Sequence, residues 1–304
     1  MEKQQTPAGP SHLAAPRPAS ATLRSWDVRQ QRGFVERLPS ADDSRFNLDH
    51  SAPITRELPI VSLLFAPGER SSVAQIRALA AADPSFHVSF DPEDCENRAA
   101  GDPAERWLEV LANGSTFDIE GLAPGSPQPV PPSTNRYGLP ADFNGRGLEA
   151  ISLRPGRLIS TAGPKLSVAR GLACLAAVLA DLPGVVAVGW HAARTLSAAN
   201  HFRGSVLRWV NGGAFPGLGL TALDPTPDGG MRSDGLALFN GQELRLAPEL
   251  ARDRAAGARL ALRLLHWLVE HGRLEAPISL VGPSGEALVL QPCRNTRLVE
   301  ALLG

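Results

Sequence analysis

From residue 148 to the C-terminus, short apolar runs with the period of a strand alternate with longer runs that have the period of a helix. Strands and helices of this kind bury their apolar faces only against each other, so the pattern constrains the chain to a layered body containing both. With 304 residues and 43% hydrophobic content, the chain is long enough for a sizeable core in one large domain or two small ones.

Residues 1–57 carry six prolines and no sustained periodicity, which reads as a disordered arm whose one apolar island is Trp26, Phe34, Val35 and Leu38. Order is expected from 58 onward. A buried strand over 58–66 leads to a helix capped by Ser71 or Ser72 and stopped by Asp83-Pro84. A half-buried strand over 86–91, a helix over 103–111 with Trp107, Leu108 and Leu111 inward, and a strand over 117–122 follow. Six prolines in the eighteen positions 123–140 then force an extended connection.

Beyond it the pattern predicts a strand over 150–159, a helix over 164–182 capped by Thr161, and a strand over 185–190 covered on both faces. A helix capped by Ser197 runs to Val210, and a strand covers 218–223. Asn240-Gly241 signals a hairpin between 235–239 and 243–247. A long helix over 252–271 and a last hairpin, 278–282 with 287–291, complete the reading. The fold class is α+β, with mixed, largely antiparallel sheet or sheets and helices on one face. It is read as two ferredoxin-like βαβ-type halves, 58–122 and 148–304, joined by the Pro-rich connection 123–147. The two can also form one composite domain.

Thirty basic against 31 acidic residues leave a net charge of -1, and the aromatic content is 5% with a single tyrosine, Tyr137. Neither a basic field nor a stacking platform for nucleic acid is supplied. Cys95, Cys174 and Cys293 lack zinc-site spacing, which suits a reduced compartment. No apolar stretch has the ~20 residues of a membrane span, and no secretory leader is visible. A soluble cytoplasmic protein is expected, with no membrane or nucleic-acid partner and no cofactor.

Four carboxylates, Asp91, Glu93, Asp94 and Glu96, are ligand types for Ca²⁺ or Mg²⁺ but lack the spacing of an EF-hand loop, so no metal is expected. His266 and His271 lie five apart, off the four-residue zinc spacing. His191 and Arg194 follow the buried strand 185–190, where open α/β sheets often place ligands beside a helix N-terminus. Glu243 is a carboxylate at the expected hairpin. These three are the candidate ligand-binding residues; no catalytic set is recognisable. A loop and a hairpin need polar residues in any case, so a purely architectural role competes at each position.

The strand ending in Trp190, the pairs Gly235-Leu236 and Phe239 with Glu243, and the long helix before a final hairpin resemble a bacterial family known as domain of unknown function 4261. The resemblance spans about 58–300 in order of elements. That family's Thr-x-Gly-Leu and Phe-Gly-x-Pro-Glu are matched with Ser233 for the Thr, Asn240 for the Gly and Gln242 for the Pro. It implies the fold and a bacterial source, and an association of some members with secretion and toxin-immunity genes. The expected function is a non-enzymatic protein-binding domain of adaptor or immunity type, its partner another protein. The alternatives are an enzyme or small-molecule-binding domain using the loop after 185–190, and an effector carrying the arm as a secretion signal.

Overall fold

The computed structural model describes residues 21–22, 60–94, 107–156, 165–293 and 297–304. Most of the arm, its apolar island and Thr161 lie outside them. The strands are β1 (Ala21–Thr22), β2 (Val61–Phe65), β3 (Phe86–Phe90), β4 (Trp107–Ala112), β5 (Ser115–Glu120), β6 (Asn135–Tyr137), β7 (Glu149–Pro155), β8 (Val185–Trp190) and β9 (Thr195–Ala198), then β10 (Ala222–Pro225), β11 (Met231–Asp234), β12 (Glu243–Leu246), β13 (Ile278–Val281), β14 (Ala287–Cys293) and β15 (Leu298–Leu303). The main helices are α1 (Val73–Ala82), α2 (Leu166–Leu179), α3 (Ala199–Val210) and α4 (Arg254–His271).

The strands form two sheets, one in the order β3-β4-β5-β7-β2-β8-β9-β6 and one in the order β1-β13-β14-β15-β12-β11-β10. Pairing is antiparallel except at β6–β9, β12–β15 and β1–β13. The fold is therefore α+β with mixed, antiparallel-rich sheets, as the periodicities require. Strands from both sides of the 123–147 connection alternate in the first sheet: β7 stands between β5 and β2, and β8 pairs with the other edge of β2.

One continuous core joins the layers. Val61, Leu63 and Phe65 of the first sheet share it with Leu172 and Leu175 of α2, Trp209 of α3, Leu264 of α4, and Leu288 and Val299 of the second sheet. A smaller cluster on the opposite face of the first sheet packs Leu64, Ala150, Ala187 and Leu196 under Leu139 and Phe143 of the connection and Leu148 just after it. The Pro-rich segment thus lies over part of the sheet face that the helices leave uncovered. No helix among the described residues is long and apolar enough to cross a membrane.

Local chemistry explains most element ends. The Ser72 hydroxyl accepts from the Gln75 N–H while the Gln75 side chain accepts from the Ser72 N–H, a reciprocal cap for α1. Asp253 accepts from the Ala255 and Ala256 N–H groups, and Gly272 closes α4 at φ +77°.

Several expectations are corrected. Residues 107–111, the described part of the helix read over 103–111, belong instead to strand β4, with Leu108, Val110 and Ala112 inward. Asn113 and Gly114 both take positive φ and close the two-residue turn from β4 to β5. Asn240-Gly241 does not: Gly241 at φ +82° ends a helical turn, Ala237–Asn240, and β12 pairs instead with β11 and β15. The hairpin there joins β10 to β11. Residues 217–220 form a turn before β10, so the strand read over 218–223 begins later. Ser197 is a residue of β9 and α3 follows Ala198 with no side-chain cap, while α2 begins after Lys165, likewise uncapped. Val186 is 40% exposed, so β8 is covered on both faces only from Ala187 on. β15, unread in the sequence, fills the gap between β14 and β12.

Candidate functional site

Antiparallel register sets Ser152 of β7, Ser62 of β2 and Gly189 of β8 side by side. Alternation turns them to the face away from the helices, since Val61, Leu63, Ile151 and Leu153 occupy the core side. A Cβ on Gly189 would lie 2.8 Å from Cε1 of His191, so the glycine leaves the space that the imidazole fills. The ring's Nε2 stands 2.8 Å from the Ser62 hydroxyl. Both serines are 0% exposed. Burial pushes His191 down to about 4, which keeps the ring neutral at pH 7.

Three polar atoms on this face have no hydrogen-bond partner and almost no contact with solvent: the Ser152 hydroxyl, Nδ1 of His191, and Nε of Arg154, two residues further along β7. Buried polar atoms are ordinarily paired, and leaving one unpaired costs ~1–3 kcal/mol. Two of the three belong to β7 and one to the turn after β8, with Ser62 of β2 between them. The row opens toward solvent at Arg154, whose Nη2 pairs with Glu120 at 2.9 Å, the two side chains being 27% and 29% exposed.

Arg194 and Glu243 take other roles. The segment His191–Ala193 is a single 3₁₀ turn joining β8 to β9, with Arg194 in the left-handed region at φ 51°. No helix N-terminus follows directly, because α3 starts only after β9. The Arg194 guanidinium is held at 2.7 Å from Asp234 and 3.1 Å from Asp224, which ties the first sheet to β10 and β11. Glu243, 9% exposed, accepts from the Ser233 hydroxyl and from the N–H groups of Gly235, Leu236 and Ala237 at 3.0, 3.3 and 3.0 Å. Burial pushes its carboxyl up to about 7, against the pull of those donors and with a push from Asp234. Gly235, at φ +92°, sits against Ala192 and Ala193, where a Cβ would come within 2.8 Å. The turn bearing His191 and Arg194 and the turn held by Glu243 are thus neighbours, but the three side chains have separate partners.

The residues that carry the family resemblance have architectural work. Trp190 stacks on Phe239 with ring centres 6.0 Å apart, and Trp209 and Phe215 meet Phe239 edge-on. In the acidic run, Asp91 and Asp94 both bind Arg77, at 2.6 and 2.5 Å; the side chain of Glu93 and all of Glu96 lie outside the described residues. No group of three His, Cys, Asp or Glu among the described residues could hold a metal ion. His266 accepts from the Phe215 N–H at 3.2 Å, and His271 stacks on Trp267.

Ser62 and Ser152 escaped the sequence reading. Ser62 and His191 are 129 residues apart, and only a lone serine inside each of two apolar strands hints at the row. No family model, curated protein or solved structure matches the chain.

Proposed function

We propose that the chain is a small-molecule-binding domain whose site is the polar row Ser152–Ser62–His191 at the end of β8. The supporting observation is the set of three unpaired, buried polar atoms, two on β7 and one in the turn after β8, beside the Ser62–His191 contact. A neutral imidazole and two hydroxyls suit an uncharged ligand with a carbonyl or hydroxyl group, since each can donate to or accept from such a group. Native mass spectrometry of the purified full chain tests this. The expected result is a folded ion heavier than the bare chain by one small molecule, released on denaturation; a mass equal to the bare chain under mild conditions contradicts it.

A protein-binding role of adaptor or immunity type in the cytoplasm is the second reading. It is favoured by β3, an end strand of the first sheet, where Phe90 is 41% exposed and packs on Trp107 with ring centres 5.6 Å apart. Edge strands with an apolar side chain pair with extended segments of other proteins. Replacing Phe90 by Glu should abolish capture of a specific protein partner; capture that is indifferent to this change removes the support.

A further inference from the structure

We propose that the outward face of the first sheet beside β3 docks an extended, basic segment of a partner protein; the assignment rests on the edge-strand reading given above. β3 ends the sheet, so among the described residues only β4 pairs with it, and its other flank offers main-chain N–H and C=O groups to an added strand. Phe86 and Val88 pair with Ala112 and Val110 on the core side, and strict alternation would send Phe90 there too. The register shifts between Val88 and Phe90, however, so that Phe90 comes opposite Glu109. This bulge turns Phe90 outward, where it is exposed and packs on Trp107.

The charge of that face is one-sided. Trp107 stands opposite Glu120 and Glu109 opposite Asp118, all turned away from Leu108, Val110, Phe117 and Ile119 of the core. Arg154, opposite Asp118, is the one arginine on β3, β4, β5 and β7, and these strands carry no lysine. Three carboxylates against one guanidinium leave the face negative beside two aromatic rings. Carboxylates attract a cation and the ring faces hold one, so the complementary side chain is arginine or lysine.

Strand geometry fixes how such a segment lies. A strand added to β3 runs about 5 Å from it, and every second side chain, about 7 Å apart, stands over the outward face. Glu109 is one strand further in, about 10 Å from the added backbone, a span that a long cation reaching toward a glutamate bridges and a short side chain does not. The Ser89 hydroxyl donates to Oε1 of Glu109 at 2.8 Å and holds that carboxylate beside the edge. The segment is therefore extended, with long cations alternating along one face. Main-chain bonds supply its affinity, and the carboxylates select its charge.

The test uses the full chain and two fluorescent peptides, one alternating arginine with valine and one alternating glutamate with valine, read by anisotropy and by hydrogen exchange of residues 86–90. Fast exchange is expected in the free chain and protection by the arginine peptide alone, with an affinity that falls as salt rises. Its Kd should rise about tenfold in Glu109→Lys and in Phe90→Ser. Glu109→Lys sets a cation opposite Asp118 and Phe90→Ser removes an exposed side chain, so neither threatens the sheet. Protection by both peptides overturns the basic partner and leaves the edge reading standing; protection by neither overturns both. A Kd indifferent to both substitutions also overturns the proposal. So does protection already present in the free chain, which makes the occupant a segment of the same chain if it is independent of concentration and a second copy if it grows with concentration.

Discussion

His191 and Glu243 are buried for different purposes and titrate in opposite senses. Burial lowers His191 from 6.5 to about 4, so the unfolded chain takes up this proton first. Its contribution to stability is intact above about 6.5 and is lost as pH falls from there through about 4. Glu243 is raised from 4.5 to about 7, so its contribution is intact below about 4.5 and is lost as pH rises through about 7. Each is worth on the order of 3 kcal/mol at its limit. Between about pH 4.5 and 6.5 the two contributions run in opposite senses and nearly cancel in wild type. Melting temperatures measured from pH 4 to 8 are therefore expected to fall toward the acid end in Glu243→Gln, where only His191 titrates, and toward neutral pH in His191→Gln, where only Glu243 does. At pH 5 Glu243→Gln should be less stable by about 1–2 kcal/mol, because an amide NH₂ cannot accept from the backbone donors of the turn. Nothing in a linear sequence announces these two environments. His191 was legible as a polar residue after a buried strand, whereas its partner Ser62 was hidden inside an apolar run whose other members are all core.

The two Asn-Gly pairs show what local signals deliver among the elements. Asn113-Gly114 makes the tight hairpin that such a pair favours, but the apolar residues on both sides of β4 blur its alternation enough to suggest a helix. Asn240-Gly241 has the same letters, yet there only the glycine takes positive φ, because Glu243 draws the preceding N–H groups into a helical turn. A carboxylate three residues downstream overrides the dipeptide. β15 was missed although it pairs antiparallel with β14 next to it in sequence and in parallel with β12, because its short run Leu298–Leu303 carries a single polar residue, Glu300, and so shows little alternation. At this scale the account makes a sharp demand of Gly235, which combines positive φ with contact against Ala192 and Ala193. Gly235→Ala should lower stability by about 1–3 kcal/mol, seen as a lower urea midpoint with an unchanged slope; an unchanged midpoint would show that the two turns are not tightly packed.

In the molecule as a whole, the shared core and the alternation of strands from both sides of the connection make the first sheet a joint product of distant segments. A fragment of residues 58–147 lacks β7 and β8, the two neighbours of β2, and should stay unfolded by circular dichroism. The full chain should lose its secondary structure and its tryptophan environment in coincident transitions, since Trp190 and Trp209 sit in the core that links the layers. The fold class was readable from periodicity because each element carries its own pattern. The site was not, because it exists only after β7, β2 and β8 come into register. The most direct test of the account is therefore Ser152→Ala, examined together for urea stability and for retention of a small molecule in native mass spectra. A residue placed to meet a ligand carries an unpaired hydroxyl at a cost, so the variant should be at least as stable as wild type while losing the bound molecule. A loss of stability of more than about 1 kcal/mol with no change in the native mass would contradict it, and would make the row part of the packing of the sheet.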